Sequence, residues 1–173
     1  MRLFFALSVA DNVISELDVF RARLKEPWRL VRADQMHITL AFLGDKSDEE
    51  LENIIRIGNN AAQRIRSFSI QIVETGTFPD AKDPKVLFAS VKNSDELTGL
   101  HKAIIDRLEN YNDSFPFIPH VTLARCRLPG AKAVKTKLNL SWKATSLILF
   151  KSELTSKGPV YEVVDQSLFC TNS

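Results

Sequence analysis

The chain has 173 residues, 45% of them hydrophobic, and its 23 basic and 21 acidic side chains nearly cancel to a formal charge of +2. That composition supplies enough apolar material for one compact domain over residues 1–173, or two small lobes sharing a core, and excludes a disordered polymer. The near balance of charge also excludes a protein that coats nucleic acid nonspecifically, while leaving room for a locally basic cleft.

The apolar run from Leu3 to Ala10 is too short to span a bilayer and is followed at once by Asp11. Without a basic stretch and a cleavage site it reads as the buried first strand, residues 2–9, of a cytoplasmic protein with no membrane attachment. Val13, Ile14, Leu17, Phe20 and Leu24 then recur at helical spacing over 11–25, and Pro27 closes that segment. A strand over 36–43 ends at Gly44-Asp45. Ser47 and Glu50 have the spacing of a capping box at the head of a helix over 48–66, with Leu51, Ile54, Ile55 and Ala62 as its apolar set.

Residues 68–74 and 86–92 alternate as strands, and the turn-rich segment from Pro79 to Pro84 joins them as an antiparallel pair. A helix over 94–110 is built on Leu97, Leu100, Ile104, Ile105 and Leu108. A strand over 119–126, a short helix over 130–138 and strands over 142–151 and 160–169 complete the chain. Strand pairs mixed with helices favour an α+β fold over a parallel doubly wound sheet. Cys126 and Cys170 have no metal-ligand spacing, and two cysteines in a chain of this size read as reduced thiols.

The tetrapeptide His-aliphatic-Thr-Leu occurs twice, as His37-Ile38-Thr39-Leu40 and His120-Val121-Thr122-Leu123, nearly half the chain apart, and uses two of the three histidines. On a strand, residues i and i+2 share a face, so each histidine projects beside its threonine while the residues between point to a core. A single such strand histidine is more often structural than catalytic. Two intact copies, each preceded by a strand and a helix, make internal duplication the economical explanation and favour two similar lobes around one cleft.

His37-Ile38-Thr39-Leu40-Ala41-Phe42-Leu43-Gly44 and Pro119-His120-Val121-Thr122-Leu123-Ala124-Arg125 resemble the signatures of the two-histidine (2H) phosphoesterases. Arg2-Leu3-Phe4-Phe5-Ala6-Leu7 and Gly158-Pro159-Val160-Tyr161 are similar to the bacterial and archaeal RNA 2′,3′-cyclic phosphodiesterases, also called 2′-5′ RNA ligases. The resemblance implies a bilobal α+β fold with pseudo-twofold symmetry, two antiparallel sheets lining a central cleft with helices outside, and no cofactor or metal. Its substrates would be RNA ends bearing a 2′,3′-cyclic phosphate, tRNA fragments among them. Hydrolysis would leave a 2′-phosphate, and a reverse-type reaction would make a 2′-5′ linkage without ATP. The protein would act as a monomer.

In-line attack on a cyclic phosphate needs one group to take a proton from water and another to give one to the departing ribose oxygen. His37 and His120 suit both tasks, because an imidazole titrates near neutral pH. The resemblance makes His120 the base and His37 the acid, while the residues themselves leave that polarity open. Thr39 and Thr122 are candidates to hold the nonbridging oxygens, weighed against a plain role as strand formers. Arg125 matches the family motif, yet five positions beyond His120 it falls on the wrong face of an ideal strand. A bulge or the strand's end would have to bring it to phosphate.

Other residues carry less weight. His101 reads as part of a solvated helix face, and Phe4, Phe5, Phe42 and Phe150 as core, with one aromatic near the cleft mouth left to stack a base. Trp28 with Arg29 and Arg32 forms a basic-aromatic cluster better explained as a loop anchor, and Tyr161 suits an edge strand or the cleft border equally. Rival readings are a phosphodiesterase for 2′-5′ oligonucleotides or a cyclic-phosphate nucleotide, using the same residues, and a noncatalytic RNA-binding module. A histidine metal site is weaker still, with no Cys, Asp or Glu at ligand spacing.

Overall fold

A computed structural model describes residues 1–112, 115–156 and 158–171. Its strands are β1 (Arg2–Ser8), β2 (Arg29–Leu30), β3 (His37–Asp45), β4 (Phe68–Phe78), β5 (Val86–Val91), β6 (His120–Arg125), β7 (Lys137–Ala144), β8 (Ser146–Thr155) and β9 (Gly158–Leu168). The helices are α1 (Asp11–Arg21), α2 (Asp48–Ala62) and α3 (Asp95–Ile105). Strand order is β7-β4-β5-β6-β3-β1-β8-β9, with the two-residue β2 pairing with Arg125 and Ala124 of β6 on the edge that faces β3. The α+β class is as expected, but the two antiparallel sheets are continuous: they are the four-stranded halves of one large sheet, joined where β3 and β6 share a single residue pair, Ile38 with Val121.

That seam lies beside the strands with the most apolar sequence. The five central residues of β1, Leu3 to Leu7, are all buried, as its place between β3 and β8 demands. Ile38 and Val121 point away from the solvent and are fully buried in one core shared by both halves. Burying each side chain of that size contributes roughly 1.5–3 kcal/mol. Two helices pack crosswise, while α2 stays on β8 and β9 of its own half. α1 follows β1 of one half yet contacts β7 of the other, and α3 follows β5 yet contacts β3.

Several elements differ from the sequence reading in informative ways. No helix forms over 130–138, because its backbone has tertiary partners instead. Buried Thr75 of β4 donates to the Val134 carbonyl at 2.6 Å and accepts from the Thr136 N–H, and the Trp28 indole donates to the Lys132 carbonyl. The predicted strand over 142–151 breaks at Thr145 into β7 and β8. α2 does open on its capping box, with the Ser47 N–H donating to the Glu50 carboxylate at 2.9 Å, but it ends at Ala62 rather than 66.

Candidate active site

The site grows from the seam register. With Ile38 opposite Val121, one step either way along antiparallel strands brings His37 opposite Thr122 and Thr39 opposite His120. All four alternate with the buried pair and so share the opposite face. Each histidine therefore has its own threonine two residues on and the other copy's threonine across the seam. The two histidines are diagonal neighbours, a relation that puts strand positions about 7–8 Å apart, room for one phosphate between two rings.

Both imidazoles are held alike. The Nδ1–H of His37 donates to the Gln35 carbonyl and that of His120 to the Ile118 carbonyl, each at 2.7 Å and each two residues back. A carbonyl can only accept, so the proton sits on Nδ1 and leaves Nε2 for chemistry. In the free protein the Thr39 hydroxyl lies 3.1 Å from His37 Nε2 and donates to it when the ring is neutral. Gln35 also donates its side-chain amide to the Pro159 carbonyl, tying the residue that orients His37 to β9.

Aromatic rings wall in each histidine. His37 lies 5.0 Å from the Phe4 ring and 5.4 Å from Tyr161, and His120 lies 5.1 Å from Phe78 and 5.3 Å from Phe88. Phe88 reaches its position because Gly76, its partner on β4, leaves room: a Cβ there would come within 2.6 Å of the Phe88 ring. Burial among these rings pushes the His37 pKa down to about 4, against its bond to Gln35 and helped by the charges of His120 and Arg125. Burial and Arg125 also lower His120, and burial raises the Tyr161 phenol.

The influence of Arg125 on both histidines follows from a feature that strict alternation misses. On β6, Thr122 opposes Phe88 and Ala124 opposes Leu87, so Leu123 is an extra, bulged residue. Leu123 and Ala124 are consecutively buried, the phase slips by one, and Arg125 emerges exposed on the same face as His120 and Thr122. β3 does the same. Thr39 opposes Ala6 and Ala41 opposes Phe5, so Leu40 is bulged, and the residue that emerges on the histidine face is Phe42.

Phe42 is therefore the counterpart of Arg125, and at 64% exposure it is not the core residue its sequence suggested. His101 reverses in the other direction. It is buried on α3, stacks flat on Phe117 with 4.2 Å between ring centres, and is not part of a solvated face. Trp28 is the buried loop anchor expected of it, while Arg32 pairs with Asp34. The sequence reading also passed over Ser8 and Ser90, which sit beside His37 and His120 in register on the neighbouring strands. The signal was present in the matching aliphatic-Ser-Val ends Leu7-Ser8-Val9 and Ala89-Ser90-Val91. Among the described residues, no three His, Cys, Asp or Glu side chains gather to hold a metal ion.

The sequence pattern of the 2′-5′ RNA ligase superfamily matches residues 9–155. Relatives named RNA 2′,3′-cyclic phosphodiesterase include that of Thermus thermophilus, 31% identical over 96% of this chain and 89% of its own, and that of Methanocaldococcus jannaschii, 29% identical over 96% and 99%. A solved Thermus thermophilus protein superposes with a TM-score of 0.89 at 30% identity, covering 98% of each chain. E. coli LigT, solved with 3′-AMP, shares the fold with a TM-score of 0.82 at 23% identity over 97% of each chain.

Proposed function

Because this chain belongs to the 2′-5′ RNA ligase superfamily, we propose that it is an RNA 2′,3′-cyclic phosphodiesterase that opens the cyclic phosphate of an RNA end to a 2′-phosphate. The observation that carries this reading is the pair of His-Thr units turned to one face across Ile38 and Val121. One imidazole Nε2 takes a proton from water as its oxygen attacks phosphorus. The other gives a proton to the 3′ oxygen as the P–O3′ bond breaks. We assign His120 as base and His37 as acid, with Thr39, Thr122 and Arg125 holding the nonbridging oxygens against the charge that builds on them. Run toward synthesis, the same residues would join a 5′-hydroxyl to make a 2′-5′ linkage.

No cofactor, metal or second subunit enters this scheme, since one chain supplies both pairs and acts as one domain of two halves. No described helix is long and apolar enough to cross a membrane, and we place the protein in the cytoplasm with RNA ends, tRNA fragments included, as substrates. The deciding experiment incubates the protein in excess EDTA with RNA ending in a 2′,3′-cyclic phosphate and separates 2′- from 3′-phosphate products. A 2′-phosphate at the uninhibited rate is expected. A 3′-phosphate, cleavage only of 2′-5′ oligonucleotides, or activity restored only by added Zn²⁺ or Mg²⁺ would overturn the proposal.

The acid's proton sets the pH dependence. Both imidazoles are lowered in the free protein, so the singly protonated pair that the reaction uses is lost as pH rises past values below about 6.5. Hence kcat/KM, which reports the free enzyme, is expected to follow a bell lying to the acid side of ordinary histidine. An anionic phosphate bound between the rings raises both values, so the falling limb of kcat should lie at higher pH. These limbs belong to the coupled pair. Coincident falling limbs would contradict this account.

Phe42, exposed on the histidine face, is the ring on which we place the terminal base. Stacking is worth about 1–3 kcal/mol per base when removed by alanine. Phe42→Ala should therefore raise KM roughly tenfold and leave kcat within about twofold. On an abasic ribose 2′,3′-cyclic phosphate end the variant and wild type should behave alike; a kcat loss on both substrates would assign Phe42 to the chemistry instead.

A further inference from the structure

Past the single pair at the seam, β3 and β6 part, and the carbonyls of the bulged leucines take their donors from elsewhere than each other's strand. A buried carbonyl needs a donor. The Leu40 carbonyl accepts from His101 Nδ1–H at 2.7 Å, and the Leu123 carbonyl accepts from the Val31 N–H at 3.0 Å and from Arg21 at 3.4 Å. His101 stands on α3, which follows β5 of one half, and holds the bulge of β3 in the other. Arg21 stands on α1, which follows β1, and holds the bulge of β6. Both are buried polar side chains outside the two motifs, and each has further anchors: His101 the ring of Phe117, Arg21 the Val31 carbonyl and the Asp18 carboxylate.

We propose that His101 and Arg21 are positioning residues that form a crossed pair of clamps, each fixing the other half's motif strand at its bulge and so setting the separation and aim of His37 and His120. The arrangement has the symmetry of the site it serves. Each clamped carbonyl belongs to the residue immediately after a motif threonine, so a shift there carries to the threonine, the histidine two residues before it, and the Phe42 or Arg125 two residues after the leucine. Because general acid and base must face a phosphate from opposite sides, a displacement well under the length of one bond lowers turnover more than it lowers binding. The inference uses the catalytic reading above for its activity measurement but stands on the hydrogen bonds to the two bulges.

Two variants separate the hydrogen bond from the packing. His101→Phe keeps a ring against Phe117 and removes the donor; His101→Asn keeps an N–H at the δ position and removes the ring. We expect kcat to fall about tenfold in His101→Phe with KM within about twofold, and to stay within about threefold of wild type in His101→Asn, although loss of the ring makes the asparagine variant the less stable in thermal melts. A merely structural histidine would rank the two by melting temperature. Equal losses, no loss in either, or a greater loss in His101→Asn would each overturn the proposal.

A second readout is independent of turnover. In long-range proton–nitrogen spectra, the titration of the His37 ring should move in His101→Phe and hold in His101→Asn, and an unmoved His37 in both would refute the clamp. If wild type fails to open a cyclic phosphate, the functional reading falls while this titration still decides the clamp. Should His101→Phe not fold, Arg21→Met against Arg21→Gln, read at the His120 ring, gives the same decision at the other bulge.

Discussion

His37→Ala and His120→Ala are each expected to lower turnover on a cyclic-phosphate RNA end by at least about a hundredfold, the scale on which a positioned general acid or base contributes. The expectation rests on the fixed tautomers. With Nδ1–H committed to the carbonyls of Gln35 and Ile118, each ring presents a single nitrogen, and the face at the seam has no third imidazole to replace it. The third histidine, His101, is buried against Phe117 with its Nδ1 committed to Leu40. Loss of the aromatic contacts around either ring costs about 0.5–1.5 kcal/mol each, too little to confuse with a catalytic loss if melting curves are taken alongside. Turnover within about threefold of wild type in either folded variant would remove that histidine from the chemistry.

Arg125→Met is expected to cost about a hundredfold in kcat/KM, with Arg125→Lys recovering part of it. A guanidinium offers paired donors to two phosphate oxygens, while an ammonium offers only a point charge. The same substitution has a second, separate consequence. Arg125 lowers the pKa of both His37 and His120, so removing its charge lets both rise. The bell in kcat/KM should move toward neutral pH even as its height falls. A drop in rate with no displacement of the limbs would mean that Arg125 contacts the RNA away from the imidazoles.

The sequence made the central fact of this site legible, because a period of two needs no knowledge of pairing: His and Thr at i and i+2 must share a face. It could not reveal that each strand slips by one residue just beyond, since Leu123 and Leu40 are extra residues only relative to the registers of β5 and β1. That slip explains why Arg125 was readable as a candidate only through resemblance and why Phe42 was read as core. His101 failed for a related reason. Its neighbours in sequence make it one of the buried positions of α3, but the partner that justifies burial, the Leu40 carbonyl, lies 61 positions away at the bulge of another strand. The missing helix over 130–138 has the same origin, in a distant Thr75 that takes its backbone groups.

The strand order also gives the two halves different contact orders. The sheet β7-β4-β5-β6 is drawn from one uninterrupted stretch, Phe68 to Ala144, and can pair as soon as that stretch is made. The other sheet is not so favoured. β1, its central strand, waits for β8, whose residues Ile148 to Ser152 pair with Arg2 to Ala6 from the opposite end of the chain. Closing so long a loop is entropically costly and slow, and it comes after local contacts are in place. The half bearing His120 thus closes on contacts nearer in sequence than the half bearing His37, and a chain cut short before β8 would lack the strand that β1 pairs with.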